Sequence, residues 1–477
     1  MASALRNPKV TVAAVFVAAM FMNILDTTIV NTAIPTIGRQ FDASISSTGA
    51  VASAYLVSLA VVIPASGWLG DRFGTRRVFL IALGLFTAAS ALCGLAGSLG
   101  QLVAFRVLQG VGGGMMTPVG MAMLFRVFPQ EERVRASRVL VVPTALAPAL
   151  GPVLGGVFVD HLSWHWAFFV NVPVGVAAIA FGAAFLPPAE PGERGRFDAL
   201  GFVLAGVGLG ALMFGVSEGP ARGWGSPEIV VPGVLGIVLL VLLVAHELRT
   251  DAPLLHLRLL RDRIFTRATL VMLPATAGFL GFLYAFPLLQ QEGLGRTAME
   301  SGLLTFPEAI GVMAGSQVVS RLYPVVGPRR LMAAGAAVVA VLAGVLSRID
   351  GGTPDAFVVV AMFFLGLAMS SVFIPQQSAA FANISGRETG QASGLFNALR
   401  QTSAAVGVAT LATVISVVGP VEATAAGPAP NLGAYHAAFV VAAGLLLVAA
   451  VLALRIKDAD AASTMARVHR PAPAPAD

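Results

Sequence analysis

Charge is scarce in this chain. Only 11% of its 477 residues are Asp, Glu, Lys or Arg, against about 25% in a soluble globular protein. Cysteine is nearly absent: Cys93 stands alone, so no intramolecular disulfide can form. Lysine is nearly absent too, with Lys9 and Lys457 the only two. The six histidines (His161, His165, His246, His256, His436 and His469) lie at the ends of apolar runs, in loops or near the C-terminus. No HExxH or paired His–Asp motif occurs, which argues against a metal site and a membrane-embedded enzyme. There is no GxxxxGK[ST] loop to cradle a nucleotide. The net charge of +6 is strung along short loops, not gathered on a soluble face, which argues against nucleic acid as a partner.

What is present is apolar residue: 57% of the chain, with a mean hydropathy of +0.84. About 20 apolar residues cross a bilayer as a helix. Fourteen such runs are predicted, near 11–36, 49–70, 78–98, 101–125, 138–160, 166–187, 199–217, 229–247, 267–289, 301–322, 330–347, 356–376, 398–418 and 436–455. The loops test the count. Of 30 Lys and Arg, Arg106 falls inside a run and four (Arg39, Arg222, Arg296 and Arg348) fall in loops on one side. All others fall on the other side, which the positive-inside rule makes cytoplasmic, together with both termini. Arg6 and Lys9 precede a run too long for a signal-peptide core, so the first span is expected to be retained. The Ala/Pro-rich segment 457–477 is expected to be a disordered cytoplasmic tail.

Two halves echo each other. Gly74-Thr75-Arg76-Arg77 superposes on Gly327-Pro328-Arg329-Arg330, and Ala136-Ser137 with Gly151 on Ala392-Ser393 with Gly407. The expected architecture is therefore all-α and polytopic, with 14 transmembrane helices in two pseudo-symmetric six-helix bundles plus two inserted helices. Its divisions are 1–190 for helices 1–6, 191–264 for helices 7–8 and a cytoplasmic linker, 265–456 for helices 9–14, and the tail. Two such repeats about an axis along the membrane normal are a transporter architecture.

Some polar residues sit where lipid should be. Asp26 lies within "NILDTTIVNTAIP", and Glu308 within "LLTFPEAIGVM". A charge at that depth costs ~3 kcal/mol on insertion scales. Both are expected roughly 10–15 Å below the outer surface at the rise of an α-helix. Arg106, Gln109 and Gly110 share a helix face. Arg106 either faces the bundle interior near an acid or snorkels outward. Gln109 either binds a ligand or satisfies Arg106. Arg400 and Gln401 are expected at the cytoplasmic start of helix 13, in a gate or as topology charges. Soft and amide side chains on the presumed inner helices form a candidate binding surface: Met20, Asn23, Phe282, Tyr284, Gln376 and Gln377.

The motifs "LDTTIVNTAIP", "GWLGDRFGTRR", "LVAFRVLQGVGGG", "APALGPVLGG" and "WHWAFFVNVPVG" run in that order. Together they resemble the major facilitator superfamily, and within it the fourteen-span drug:proton antiporters of the bacterial cytoplasmic membrane. The resemblance implies multidrug or antibiotic efflux by alternating access, with a dedicated exporter of one endogenous metabolite as the alternative. It implies no cofactor, a proton gradient as the drive, and a monomer in contact with lipid. Its expected partners are protons and a small amphipathic or cationic drug-like compound. It assigns proton coupling to Asp26, with Arg106 tuning it; Glu308 joins them on depth alone. It assigns a cytoplasmic gate to Gly67, Asp71, Arg72, Gly74, Arg76 and Arg77, the acid meeting basic partners and the N-terminus of helix 13. Pro324 stands where an acid would align in the second half, so no equivalent latch is expected there. It assigns a hinge on helix 5 to Pro148, Gly151, Pro152, Gly155 and Gly156.

Overall fold

The computed structural model describes residues 7–43, 45–128, 132, 137, 146–147, 150–151, 153–159, 161–188, 197–250, 253–385, 388–424 and 427–465. Its helices are α1 (Pro8–Gln40), α2 (Ile45–Phe73), α3 (Thr75–Gly94), α4 (Leu99–Val127), α5 (continuous over 153–159), α6 (Trp166–Phe185), α7 (Ala199–Arg222) and α8 (Pro227–Glu247). They continue as α9 (Arg263–Leu288, extended by a π turn Leu289–Gly293), α10 (Ala298–Val326), α11 (Pro328–Leu346), α12 (Asp355–Ala380), α13 (Thr389–Val418) and α14 (Leu432–Ala453). Thirteen helices are long and apolar enough to cross a membrane among the described residues. The predicted span 138–160 falls mostly outside them.

Helices are the form these runs must take, because hydrocarbon offers the backbone no hydrogen-bond partner. One departure from an all-α chain is a two-stranded antiparallel hairpin, β1 (Val421–Thr424) and β2 (Gly427–Pro430), between α13 and α14. The packing of α1–α6 recurs eight helices later. The pair α2/α4 matches α10/α12, α3/α4 matches α11/α12, and α1/α6 and α3/α6 match α9/α14 and α11/α14. The sequence echo has a backbone counterpart. Gly74 (φ 88°) and Gly327 (φ 82°) each turn the chain between paired helices, in a conformation that favours glycine. The inserted pair α7–α8 lies against α2 of the first half and α13 of the second. It is pinned there by Ser53 Oγ donating to Glu218 (2.5 Å) and Trp224 Nε1 donating to Thr413 (2.8 Å).

Two expectations change. First, α13 starts at Thr389, not near 398. Its first turns, "TGQASGLFNALRQ", are too polar to register as an apolar run. They are helical because they face protein: Gly390, Ala392, Ser393, Gly394, Leu395, Phe396 and Asn397 are all buried. Second, part of the segment expected to be disordered is folded. Asp458–Thr464 forms a 3-10 helix with Ala461 and Thr464 buried. Asp460 pairs with Arg267 of α9 (3.2 Å), and Tyr323 of α10 bonds to Thr464 (2.7 Å). Asp458 accepts from the backbone N–H of Arg329 at the start of α11 (2.9 Å). The second half therefore does have a carboxylate at its helix 10–11 turn. It arrives from more than a hundred residues away, where composition alone gave no sign of a partner.

A carboxylate at a helix N-terminus contributes about 1 kcal/mol. Asp458→Ala is expected to lower the detergent-solubilised unfolding temperature modestly, and removal of residues 458–477 to lower it further. Unchanged melting in the truncated chain would show that the segment merely rests on the bundle.

Candidate functional site

Contacts of Arg126 with Asp71, Phe125 with Phe381, Asn383 with Asp262, Arg267 with Asp460 and Arg329 with Asp458 tie arginine-bearing helix ends together at one end of the bundle, here termed the basic end. Asp26 lies 18 residues along α1 from its basic end, and Glu308 lies 18 residues from the basic end of α10. At 1.5 Å per residue both stand about 27 Å along their helices from that end.

Asp26 is fully buried and Arg106 is 1% exposed. Arg106 Nη1 donates to Asp26 Oδ2 (2.5 Å) and to Gln109 Oε1 (2.8 Å). Gln109 Nε2 donates to Asp26 Oδ1 (2.8 Å), where Asn171 Nδ2 donates as well (3.1 Å). The spacing of Arg106 and Gln109 on α4 puts both side chains over one carboxylate. Arg106 faces inward, not outward: its Nε donates to Val51 O of α2 (3.1 Å), and its guanidinium lies 4.2 Å from the centre of the Tyr55 ring. Tyr55 in turn donates to Asn23 Oδ1 (3.1 Å), whose Nδ2 donates to Gly113 O (3.2 Å). The network thus joins α1, α2, α4 and α6. Tyr55 and Asn171 were not singled out from the sequence. Asn171 stands in the quoted "WHWAFFVNVPVG" as an amide among apolar residues, which was the available signal.

Glu308 is 3% exposed and makes no hydrogen bond or ion pair among the described residues. Its depth does not come from a misplaced helix start. A capping box between Thr297 and Glu300 fixes the start of α10 ten residues earlier.

The expected gate residues divide. Asp71 accepts from Arg126 of α4 (2.6 Å), a partner the sequence reading did not name. Asp71 also abuts Gly390 in the first turn of α13: a Cβ there would lie 2.9 Å from its Oδ1. Gly67 lets α2 touch α13, since a Cβ would come within 2.8 Å of Gly390 O. Arg76 does not meet Asp71; its Nη2 donates to Ala183 O of α6 (2.6 Å). Gly74 is buried at the turn, Arg72 is half-buried and Arg77 is exposed. His256, from the linker before α9, feels Asp71, Glu388 and Arg258. Burial, ahead of these charges, lowers its pKa.

Other contacts close the two halves at the same end. Phe125 of α4 stacks on Phe381 (4.7 Å), Gln377 Nε2 of α12 reaches Met121 Sδ (2.8 Å), and Ser378 Oγ donates to Ser137 (2.9 Å). Of the expected hinge, Pro148 and Pro152 lie outside the described residues. Gly151 and Gly155 seat α5 on α1, where a Cβ would strike the hydroxyls of Thr28 and Thr32, whereas Gly156 faces open space.

The candidate ligand residues also divide. Met20 (5% exposed) accepts from Thr117, and Asn23 and Gln109 are consumed by the network. Phe282 is not on a pocket wall. It is 1% exposed and packs on Phe286 and Phe439 inside the second half, because its position on α9 faces α14. Tyr284 is 40% exposed, and Gln376 is buried with Oε1 lacking a partner among the described residues. No group of three or more metal-ligating side chains is found among the described residues.

A bundle of apolar helices built from two like-packed sets defines a multi-pass membrane protein. The chain belongs to the Major Facilitator Superfamily, whose sequence profile matches residues 16–408. Among its relatives is the Multidrug resistance protein B homolog of Mycobacterium tuberculosis, 32% identical over 412 residues, covering 85% of this chain and 76% of that one. A Yersinia enterocolitica relative with the multidrug resistance name MdtD is 31% identical over 424 residues, covering 88% of each. Solved structures share the fold at low identity. The human organic anion transporter MFSD10 has a TM-score of 0.66 at 17% identity, over 94% of this chain and 99% of that one. The proton:xylose symporter XylE has a TM-score of 0.63 at 13% identity, over 93% and 94%.

Removing one member of a buried ion pair leaves the other uncompensated, at about 3–5 kcal/mol. Arg106→Gln is therefore expected to destabilise the protein on that scale. Adding Asp26→Asn to it should recover a large part of the loss, as read by thermal unfolding in detergent. Additive losses would mean the two residues act independently.

Proposed function

We propose that this protein is a proton-coupled antiporter that exports small amphipathic drug-like compounds across the bacterial cytoplasmic membrane. The names of its relatives support the drug-efflux reading. The basic end is then cytoplasmic, as the positive-inside rule requires, and the protein works as a monomer in lipid, without a cofactor and without enzymatic chemistry.

The observation that carries the proposal is Asp26, sealed in a span under three side-chain donors. Stability alone is a poor reason for such a pair, because well-packed apolar residues serve as well or better. A carboxylate that can exchange its arginine for a proton is a two-state element. Deprotonated, it holds α1, α4 and α6 together through Arg106, Gln109 and Asn171. Protonated, it loses its charge and that hold weakens. The two halves then change their relative tilt, the Asp71–Arg126 contact leaves Gly390, and the proton exits inward while the cavity loads from the cytoplasm. Glu308, at matching depth, is the second proton-coupling candidate.

In inverted vesicles, Asp26→Asn is expected to abolish drug uptake driven by an imposed pH gradient while the protein remains in the membrane. Uptake at the wild-type rate would sink the mechanism. Glu308→Gln reports separately: loss of proton coupling assigns Glu308 a part, and wild-type uptake removes it.

A further inference from the structure

Arg400 is a further charge near the contact between the halves. The sequence reading placed it at the cytoplasmic start of helix 13. In the structure it lies 11 residues into α13, about 17 Å along the helix, which is too deep for a topology charge. Its direction follows from its neighbours. Asn397, three residues before it, reaches across to Met121 of α4 (3.8 Å). Ser403, three residues after it, bonds to Leu273 O of α9. Arg400 lies between these two directions, so it points into the gap between α4 and α9. It stands one turn above the layer where Gln377 and Asn397 meet Met121.

Its hydrogen bonding is incomplete. A guanidinium has five N–H donors. Arg400 uses one, from Nη2 to Asn397 Oδ1 (3.0 Å), and forms no ion pair among the described residues. It is half-buried, not sealed. Arg106 is the opposite case, closed off under a carboxylate. Asn397 Oδ1 is the one side-chain acceptor it meets among the described residues, and the amide groups nearby bring further donors. Gln377 Nε2 turns to a methionine sulfur, a weak acceptor, and Asn397 Nδ2 is shared between that sulfur (3.8 Å) and Ser393 O (2.9 Å). An unpaired charge at membrane depth marks a path for substrate or ion. Here the surplus is positive and donor-rich, while the carboxylate of the first half is already neutralised.

We propose that Arg400, with Asn397 and Gln377, binds an anionic group on the transported compound. The preferred substrates are thus amphipathic acids or zwitterions bearing a carboxylate, sulfonate or phenolate. This rests on the transport reading above and names the chemistry of its substrate.

The test is equilibrium binding to purified protein in lipid nanodiscs at neutral pH, with no gradient. The probes are fluorescein, an anionic dye, and rhodamine 6G, a cationic dye of similar size. Charge-assisted bonds are about twice as strong as neutral ones, so Arg400→Gln is expected to weaken fluorescein binding about tenfold or more and leave rhodamine 6G unchanged. Arg400→Lys should fall between, and Asn397→Leu should weaken fluorescein in the same direction if Arg400→Gln fails to fold. The proposal is overturned if wild type does not bind fluorescein, or if Arg400→Gln binds it normally or loses both dyes equally. It is also overturned if physiological chloride, compared with gluconate, displaces the dye as well as the mutation does, because the site then holds inorganic anion. Binding needs no proton gradient. A wild type that binds fluorescein but transports nothing under an imposed gradient would defeat the antiport reading and leave this site standing.

Discussion

A single carboxylate inside the bilayer sets the terms for the first half. Asp26 cannot remain ionised in hydrocarbon alone, so the chain surrounds it with Arg106, Gln109 and Asn171. Each donor must then come from a helix that approaches closely. Arg106 is further fixed by Val51 O and by the face of Tyr55. Much of the relative placement of α1, α2, α4 and α6 follows from satisfying one acid. Removing either member of the pair leaves the other as a bare charge in a low-dielectric interior.

The second half is organised differently. Among the described residues it carries no paired acid at that depth: Glu308 has no hydrogen-bond or ion-pair partner there, and Arg400 meets no carboxylate. The two halves share a backbone plan, visible in the turns at Gly74 and Gly327, but not a charge plan. Closure at the basic end is likewise built from unlike parts. Aromatic stacking of Phe125 on Phe381 and contact between Gly67 and Gly390 supply shape, while Asp71, paired with Arg126, sets a charge against Gly390 in the first turn of α13.

The fold was legible because burial in lipid leaves a coarse signature: length and apolarity count the helices. The site was legible where one residue type was out of place, as with Asp26 and Arg106. What escaped was whatever depends on protein facing protein. The early turns of α13 are small and polar, so hydropathy does not find them, and the depth of Arg400 along the helix is hidden with them. Phe282 looked like a pocket residue because hydrophobicity does not say which neighbour a helix face meets. Arg126, Tyr55 and Asn171 are ordinary residues on their own and acquire meaning only opposite a carboxylate. Asp458 could not be anticipated, because its partner is a backbone amide 129 residues away.

That long-range contact has a consequence for biogenesis. When α11 first enters the membrane, the amide of Arg329 has no carboxylate to meet, because Asp458 has not yet been synthesised. At about 5–20 residues per second, the gap of 129 residues lasts roughly 6–26 s. For that interval the second bundle is inserted but not fastened, and α10, α11 and α12 can still adjust before the 3-10 segment locks their ends. A nascent membrane protein held loose until its last helices arrive has time to correct its packing, and it is also exposed to quality-control proteases for just that long.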